Sequence, residues 1–364
     1  MKRIKVSLAR RSDRSYEIII GRDILERACM LVSQRGCSRR MVVIADSNVA
    51  GLHGEACVAL MCRLGMPAEL ITFPAGEASK TIDMVLSVST ELLERKVDRS
   101  ATLVALGGGV TGDLVGFVAS IYMRSIPFIQ IPTSLIAQVD SSIGGKTGVD
   151  FKGGKNLLGS FYQPKDVIID ISWLDTLPEK EFKNGLAEVV KYGIIDDADL
   201  FETLEWEASA LLERSPGILE RVVERCCAIK KGLVEIDEYD LGIRRILNFG
   251  HTIGHALEGV SDYRINHGTA VSIGMVAEAR IAEKKGCLDR RERERIEALL
   301  DSLGLERTIP VDMDTNELLS RIGLDKKRRG GKVPFVLIKK IGVSFINGSV
   351  DENLVKETIE ELKV

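Results

Sequence analysis

Three of the four histidines in this chain fall in one short window, and two of them, His251 and His255, stand one helical turn apart. The run Arg244-Arg-Ile-Leu-Asn-Phe-Gly-His251-Thr-Ile-Gly-His255-Ala-Leu-Glu is followed by Asn266-His267-Gly268. Imidazole is the commonest protein ligand for a transition metal, and the i, i+4 spacing sets both rings on one helix face. A lone histidine is more often a satisfied core residue. Three bunched in so histidine-poor a chain point to a chemical site, although the residues alone leave open which of them bind metal. A catalytic metal site also needs a carboxylate and one open coordination position. Gly185-Leu-Ala-Glu188-Val-Val-Lys191-Tyr-Gly193 offers Glu188, with Lys191 at i+3 on the same face of an otherwise apolar stretch. An intrahelical ion pair is the plainer reading of those two charges. In so apolar a segment, though, the pair is expected to be partly buried, which weakens a purely stabilising role.

A second pattern concerns nucleotides. The predicted strand Thr102–Leu106 runs into Gly107-Gly-Gly109-Val-Thr-Gly112-Asp113, and a helix-compatible stretch follows. Glycines at 107, 109 and 112 satisfy the dinucleotide pattern in its required strand-turn-helix setting, where backbone N–H groups and the helix dipole face a pyrophosphate. A turn that merely packs a helix on a strand would also use glycine. An ordinary dinucleotide fold places an acid about 20 residues on to hold the ribose. Here the next strand ends in Pro132-Thr133-Ser134, so the adenosine must be held differently. Further on, Asp140-Ser-Ser-Ile-Gly-Gly-Lys146-Thr-Gly148 continues to Gly153-Gly-Lys155-Asn156. Dense glycine with isolated lysines suits a loop wrapped around a phosphorylated ligand, with lysine as point charge and the Asn156 amide as donor. A solvated surface loop is the alternative.

These groups need elements to hold them. At 364 residues, two domains are expected. Strands are predicted at Ile4–Leu8, Tyr16–Ile20, Met41–Ala45, Glu69–Phe73, Thr102–Leu106, Phe128–Ile131 and Val167–Asp170, with helices at Leu52–Leu64 and Thr81–Lys96. That alternation indicates parallel βαβ units. From Trp173 the apolar spacing turns helical through Glu179–Ile194, Asp199–Leu212, Gly217–Glu235, Thr252–Leu257 and Thr269–Lys285. The charged stretch Arg290–Leu303 reads as a solvated helix face, and a β-like pair follows at Val333–Ile338 and Val343–Ile346. The expected architecture is an α/β, Rossmann-like domain over residues 1–172 and a mostly α-helical domain over 173–364, with the site in the cleft between them.

The formal charge of −3 and pI near 6.0 give no global attraction to nucleic acid or anionic membrane. The basic run Asp325–Lys332 has few aromatics beside it to stack on bases. Seven cysteines without C-x-x-C spacing suit a reducing compartment. No signal peptide or membrane-length apolar run is seen, so a cytoplasmic protein is expected.

Together the segments Gly108-Gly-Val-Thr-Gly-Asp-Leu-Val-Gly-Phe117, Pro132–Gly148, Lys155-Asn156, Phe161-Tyr-Gln-Pro164, Gly185–Gly193 and Leu247–His255 resemble the 3-dehydroquinate synthase family, over nearly the whole chain. The resemblance implies NAD+, one divalent metal ion (Zn2+ or Co2+), a sugar-acid phosphate substrate and a homodimer. Metal ligands would be Glu188, His251 and His267, leaving His255 to the substrate. NAD+ would meet Asp46, Asn48, Glu77, Lys80, Gly108, Gly109, Val110, Asp113, Thr133, Ser134, Lys146, Lys155 and Thr176. Substrate would meet Asp140, Lys146, Asn156, Lys191, Lys230, Arg244, Asn248, His255 and Lys326 (or its neighbour Lys327), and Arg124 would reach across the dimer. Ser134, Asp150 and Thr269 depart from the family's usual threonine, asparagine and glutamate, and none of these changes removes a group the chemistry requires.

The implied reaction turns 3-deoxy-D-arabino-heptulosonate 7-phosphate into 3-dehydroquinate plus phosphate. Hydride passes to NAD+, phosphate is eliminated, hydride returns, the ring opens and an aldol closes the carbocycle. Rival readings are a related cyclase acting on sedoheptulose 7-phosphate or glucose 6-phosphate, a metal-dependent polyol dehydrogenase that would accumulate NADH, and a regulatory protein whose site has decayed. The Gly-Gly-Lys-Thr-Gly loop, Arg244, His255 and the Asp325-Lys-Lys loop favour the dehydroquinate member, whose substrate also carries a carboxylate.

Overall fold

The computed structural model describes residues 14–34, 40–152, 154–262, 264–328, 334–348 and 350–364, with the side chains of 324–328 outside that description. Its first half is a six-stranded sheet in the order β1-β8-β5-β4-β2-β3, every printed pairing parallel. The strands are β1 (Glu17–Gly21), β2 (Met41–Asp46), β3 (Ala68–Phe73), β4 (Thr102–Gly107), β5 (Phe128–Pro132) and β8 (Asp166–Asp170). They match the predicted runs to within a residue or two. The predicted strand Ile4–Leu8 lies outside the described residues.

Alternation along each strand explains why the sheet is covered on both sides. Val42, Ile44, Leu103 and Ala105 pack against α4 (Ile82–Glu94) and α5 (Gly109–Ile121). Val43, Ala45, Val104 and Leu106 face the other way, towards α1 (Leu25–Gln34) and α3 (Glu55–Arg63). A one-turn helix α2 (Ser47–Val49) and a wide turn, Ala50–Gly54, lead into α3, so the helix predicted over Leu52–Leu64 begins irregularly. Each fully buried Val, Leu or Phe contributes about 1.5–3 kcal/mol of transfer free energy, which makes a one-residue register slip costly.

One expectation fails here. The glycine-dense stretch read as a ligand-wrapping loop is an antiparallel hairpin, β6 (Lys146–Phe151) and β7 (Gly154–Phe161). Gly148 and Gly159 face each other across it, and a Cβ at Gly159 would stand 2.2 Å from the Thr147 carbonyl oxygen. Gly148 and Gly159 thus serve strand contact, while Gly144 and Gly145, with φ of 92° and 66°, lie in the turn that precedes β6.

After the 3-10 turn Ile171–Thr176 the chain is mainly helical: α6 (Glu179–Asp196), α7 (Ala198–Trp206), α8 (Ala208–Leu212), α9 (Pro216–Ile236), α10 (His251–Val260), α11 (His267–Lys284), α12 (Arg290–Ser302), α13 (Thr315–Arg328) and α14 (Glu352–Glu361). The helix expected over Asp199–Leu212 breaks at Glu207, between α7 and α8. Helices α1, α13 and α14 have no counterpart in the sequence reading. The β-like pair is real, as β9 (Phe335–Lys340) and β10 (Val343–Asn347). Helix α6 runs through the centre of the helical half, with Phe182, Leu186, Val189, Val190 and Ile194 buried. The same core reaches Val167 and Ile169 of the sheet, so the two halves pack against each other directly.

Candidate active site

The carboxyl ends of β2, β4 and β5, the hairpin and the helices α6, α9, α10 and α11 surround one cavity of about 1250 Å³. It is large enough for a dinucleotide and a small substrate together.

On its sheet side, Gly107 ends β4, Gly108 caps α5, and Gly109 begins the helix. A Cβ at Gly107 would stand 2.4 Å from Thr111 Oγ1, and one at Gly112 would stand 2.5 Å from Gln130 Oε1. These glycines let α5 sit tightly against the sheet, with its unpaired N–H groups at the cavity. Gly108, Gly109, Val110, Thr133 and Ser134 line this wall. So do Asp46, Asn48, Glu77, Lys80, Asp113 and Thr176. Asp46 Oδ1 accepts the N–H groups of Asn48 and Val49, while Thr111 Oγ1 donates to Oδ2 at 3.4 Å. Lys80 Nζ lies 2.6 Å from Asp113 Oδ2 in a nearly buried pair. Burial works against the Lys80 charge, but Asp113 and Glu77 raise its pKa.

Across the cavity lies a cluster of residues that could hold a metal ion. Glu188 comes from α6, His251 from the first position of α10, and His267 from the first position of α11. Glu188 Oε1 stands 3.3 Å from His251 Nε2 and 3.0 Å from His267 Nε2. One ligand atom from each residue fits within a 4.8 Å circle. Glu188 is buried beneath the imidazoles and does not itself line the cavity. Burial opposes its charge, yet Lys191 Nζ at 2.5 Å and the two histidines hold its pKa well below the usual carboxylate range. His255 lines the cavity beside them, and burial, then the His251 charge, push its pKa down to about 3. It is a neutral imidazole at working pH.

Most of the remaining expected residues line the same cavity. Arg244 is 1 % exposed, and its guanidinium donates to the carbonyls of Gly144 and Glu238 while its Nε finds no acceptor. A guanidinium buried against carbonyls and open to a cavity is built for an anionic guest. Lys230 Nζ lies 2.9 Å from Asp140 Oδ1, and Tyr192 donates to that oxygen at 2.6 Å. Despite burial, Lys230 and Lys191 hold the Asp140 pKa below its ordinary value. Lys146, Lys155, Asn156, Lys191 and Asn248 complete the wall. Lys146 reaches Asp240 at 2.5 Å.

Asn248 ends the 3-10 turn Ile243–Asn248, two residues before Gly250, the cap residue of α10. Arg124 does not line the cavity. It sits in a turn where Met123, Arg124 and Ser125 have φ of 48°, 65° and 91°. The Lys326 side chain, with the rest of the basic run to Lys332, lies outside the described residues.

Sequence reasoning missed Glu258. Its Oε1 lies 3.0 Å from His267 Nδ1 and its Oε2 lies 3.4 Å from Lys155 Nζ. Burial opposes its charge, but the His267 hydrogen bond and then Lys155 lower its pKa to about 2. Such a carboxylate fixes the tautomer that leaves Nε2 for a metal. Its i+3 and i+7 spacing from His255 and His251 was the available signal.

Comparison with known proteins gives a consistent result. Models of the 3-dehydroquinate synthase N-terminal and C-terminal regions match residues 70–184 and 185–328. The chain is 42% identical over 362 residues to a 3-dehydroquinate synthase of Thermodesulfovibrio yellowstonii, covering 99% of this chain and 100% of the other. It is 43% identical to that of Acetivibrio thermocellus, covering 96% and 97%. Among solved structures, it resembles a 2-epi-5-epi-valiolone synthase from Streptomyces hygroscopicus with bound NAD+ and Zn2+, at TM-score 0.90 and 29% identity, covering 99% of both chains. A 2-deoxy-scyllo-inosose synthase with NAD+ and Co2+ matches at TM-score 0.85 and 28% identity, covering 94% and 96%.

Proposed function

This chain belongs to the 3-dehydroquinate synthase family, and on that premise we propose that it converts 3-deoxy-D-arabino-heptulosonate 7-phosphate to 3-dehydroquinate and phosphate, using NAD+ and one divalent ion. The observation that carries the reading is convergence: the glycine turn, the Glu188–His251–His267 cluster and the buried Arg244 all serve one cavity.

One carboxylate and two imidazoles within bonding reach of a common point fit a Zn2+ or Co2+ centre with an open position. When bound, such an ion supplies Lewis acidity to substrate hydroxyl and carbonyl oxygens. Lys191 neutralises Glu188, and Glu258 orients His267. The glycine turn and α5 take the pyrophosphate of NAD+, and Asp46 takes an adenosine ribose. Lys146, Asn156, Lys191, Lys230 and Arg244 hold carboxylate, hydroxyls and phosphate, and His255 and Asn248 offer neutral hydrogen bonds.

Asp140 and His255 are both weak bases, since their pKa values are depressed. As the family resemblance implies, the departing phosphate would itself take the proton lost in the elimination. Bound NAD+ would supply a hydride acceptor that is regenerated within each turnover, so no lasting NADH is expected.

The reading includes a division into domains near residue 172, at the turn Ile171–Thr176. It also includes a cytoplasmic homodimer in which Arg124 reaches the partner's cavity from its projecting turn. Among the described residues no helix is long and apolar enough to cross a membrane.

The test is phosphate release from 3-deoxy-D-arabino-heptulosonate 7-phosphate with catalytic NAD+, with the NADH band followed in parallel. Release without lasting NADH, abolished by a chelator and restored by zinc or cobalt, is expected. Metal-loaded protein that releases no phosphate from this substrate sinks the assignment, and release from sedoheptulose 7-phosphate or glucose 6-phosphate instead would move it to another cyclase.

A further inference from the structure

The helix that carries His251 begins without a cap of its own. Gly250, its cap residue, has φ +79°, and a Cβ there would meet Met275 Cγ at 2.7 Å and the Val271 carbonyl oxygen at 2.8 Å. No serine, threonine or aspartate can occupy that position, so the first N–H groups of α10 must find an acceptor elsewhere. Glu278, on α11, provides it. Gly250 N–H donates to Glu278 Oε2 at 2.8 Å, and the N–H groups of Thr252 and Ile253 face the same carboxyl group. Glu278 is 0 % exposed, and its Oε1 has no hydrogen-bond partner among the described residues. One turn earlier on α11, Gly274 lets the helices touch, since a Cβ there would stand 1.9 Å from the Gly250 carbonyl oxygen.

Each of these helices presents a histidine at its first position, and both imidazoles face Glu188. The capped end of α10 is therefore the point from which His251 projects. A buried polar group kept in an apolar helix interface needs a reason.

We propose that Glu278 is a positioning residue for the metal centre: by capping α10 from within α11, it sets His251 against His267 and Glu188. The inference rests on the metal reading given above. It assigns Glu278 no contact with substrate, cofactor or metal.

The test compares Glu278→Met, which removes the acceptor at similar length, with Glu278→Gln, which keeps one. Cobalt is titrated against a competing chelator, and its visible d–d absorption is recorded on the full-length protein without substrate. Glu278→Met is expected to lose about 10- to 100-fold in cobalt affinity and to change the absorption envelope. Glu278→Gln is expected to stay within about threefold of the parent. Leu92→Ala, a cavity in the separate core behind the sheet, is expected to lower Tm while leaving cobalt affinity unchanged. Parent-like affinity and spectrum in folded Glu278→Met overturn the inference. Should Glu278→Met not fold, Glu278→Asp, which withdraws the carboxylate by one methylene, decides the matter by the same two readouts. A parent that binds no cobalt sinks the metal centre and this inference together, whereas a binding parent with an indifferent variant sinks the inference alone.

Discussion

Glu258 lies 3.0 Å from Nδ1 of His267, on the side of the ring away from Glu188. The imidazole is thus gripped between two buried carboxylates, one at each nitrogen. Replacing Glu258 by Gln removes the anionic acceptor and leaves the fold's packing nearly intact. Metal affinity should fall about 10- to 100-fold, measured by chelator competition. An unchanged affinity would mean that Glu258 serves Lys155 alone.

The same grip gives a pH dependence. Burial alone would lower the His267 pKa, but the hydrogen bonds it donates to Glu188 and Glu258 raise it to about 9. An unfolded histidine titrates near ~6.5. In chelated protein this group's stabilisation is therefore complete below about pH 6.5 and is lost as the pH rises through about 9. Chemical denaturation of the chelated protein should show stability falling across that window. Metal must displace the same proton, so its affinity should climb towards pH 9. A flat affinity between pH 6.5 and 9 would contradict the assigned ligand.

Arg244 should be hard to replace. Its guanidinium is buried, spends hydrogen bonds on two backbone carbonyls and keeps Nε unmatched. Losing one side of a buried charged hydrogen-bonded pair costs about 2–5 kcal/mol. Arg244→Ala should thus reduce kcat/KM by roughly 30- to several thousand-fold. Arg244→Lys should rescue little, because an ammonium cannot reproduce the planar fork. Steady-state phosphate release checks both, and a fully active Arg244→Lys would reduce the site to a simple point charge.

Arg124 supports a complementation experiment. If it completes the partner's cavity, Arg124→Ala and His251→Ala should each be inactive as homodimers. Mixed and reassembled in equal amounts, they should regain about a quarter of the parent activity, from hybrids with one complete site. No recovery in proven hybrids would place Arg124 outside catalysis.

Much of this architecture was legible in the residues. Strands β2, β4, β5 and β8 are buried on both faces and so read as continuous apolar runs. The histidine window, Glu188 and the glycine turn stood out by scarcity and spacing. The hairpin did not, because Gly148 and Gly159 permit close strand contact and look locally like a loop. Asp46 illustrates a different obstacle. The usual spacing rule looks for an acid after the glycine turn, whereas the sheet order places β2 beside β4 and brings Asp46, from earlier in the chain, to the cavity wall. Glu258 and Glu278 carry no motif, since their partners are a distant ring and backbone N–H groups.

The buried pair of Glu188 and Lys191 has a consequence for how such a gene can change over time. Their charges neutralise each other inside an apolar helix, at 2.5 Å and almost without solvent. Losing Glu188 alone leaves Lys191 in the core without its carboxylate, at a cost of about 3–5 kcal/mol, a large fraction of a domain's whole stability. A single step that removes Glu188 therefore weakens the fold and at the same time removes a candidate metal ligand.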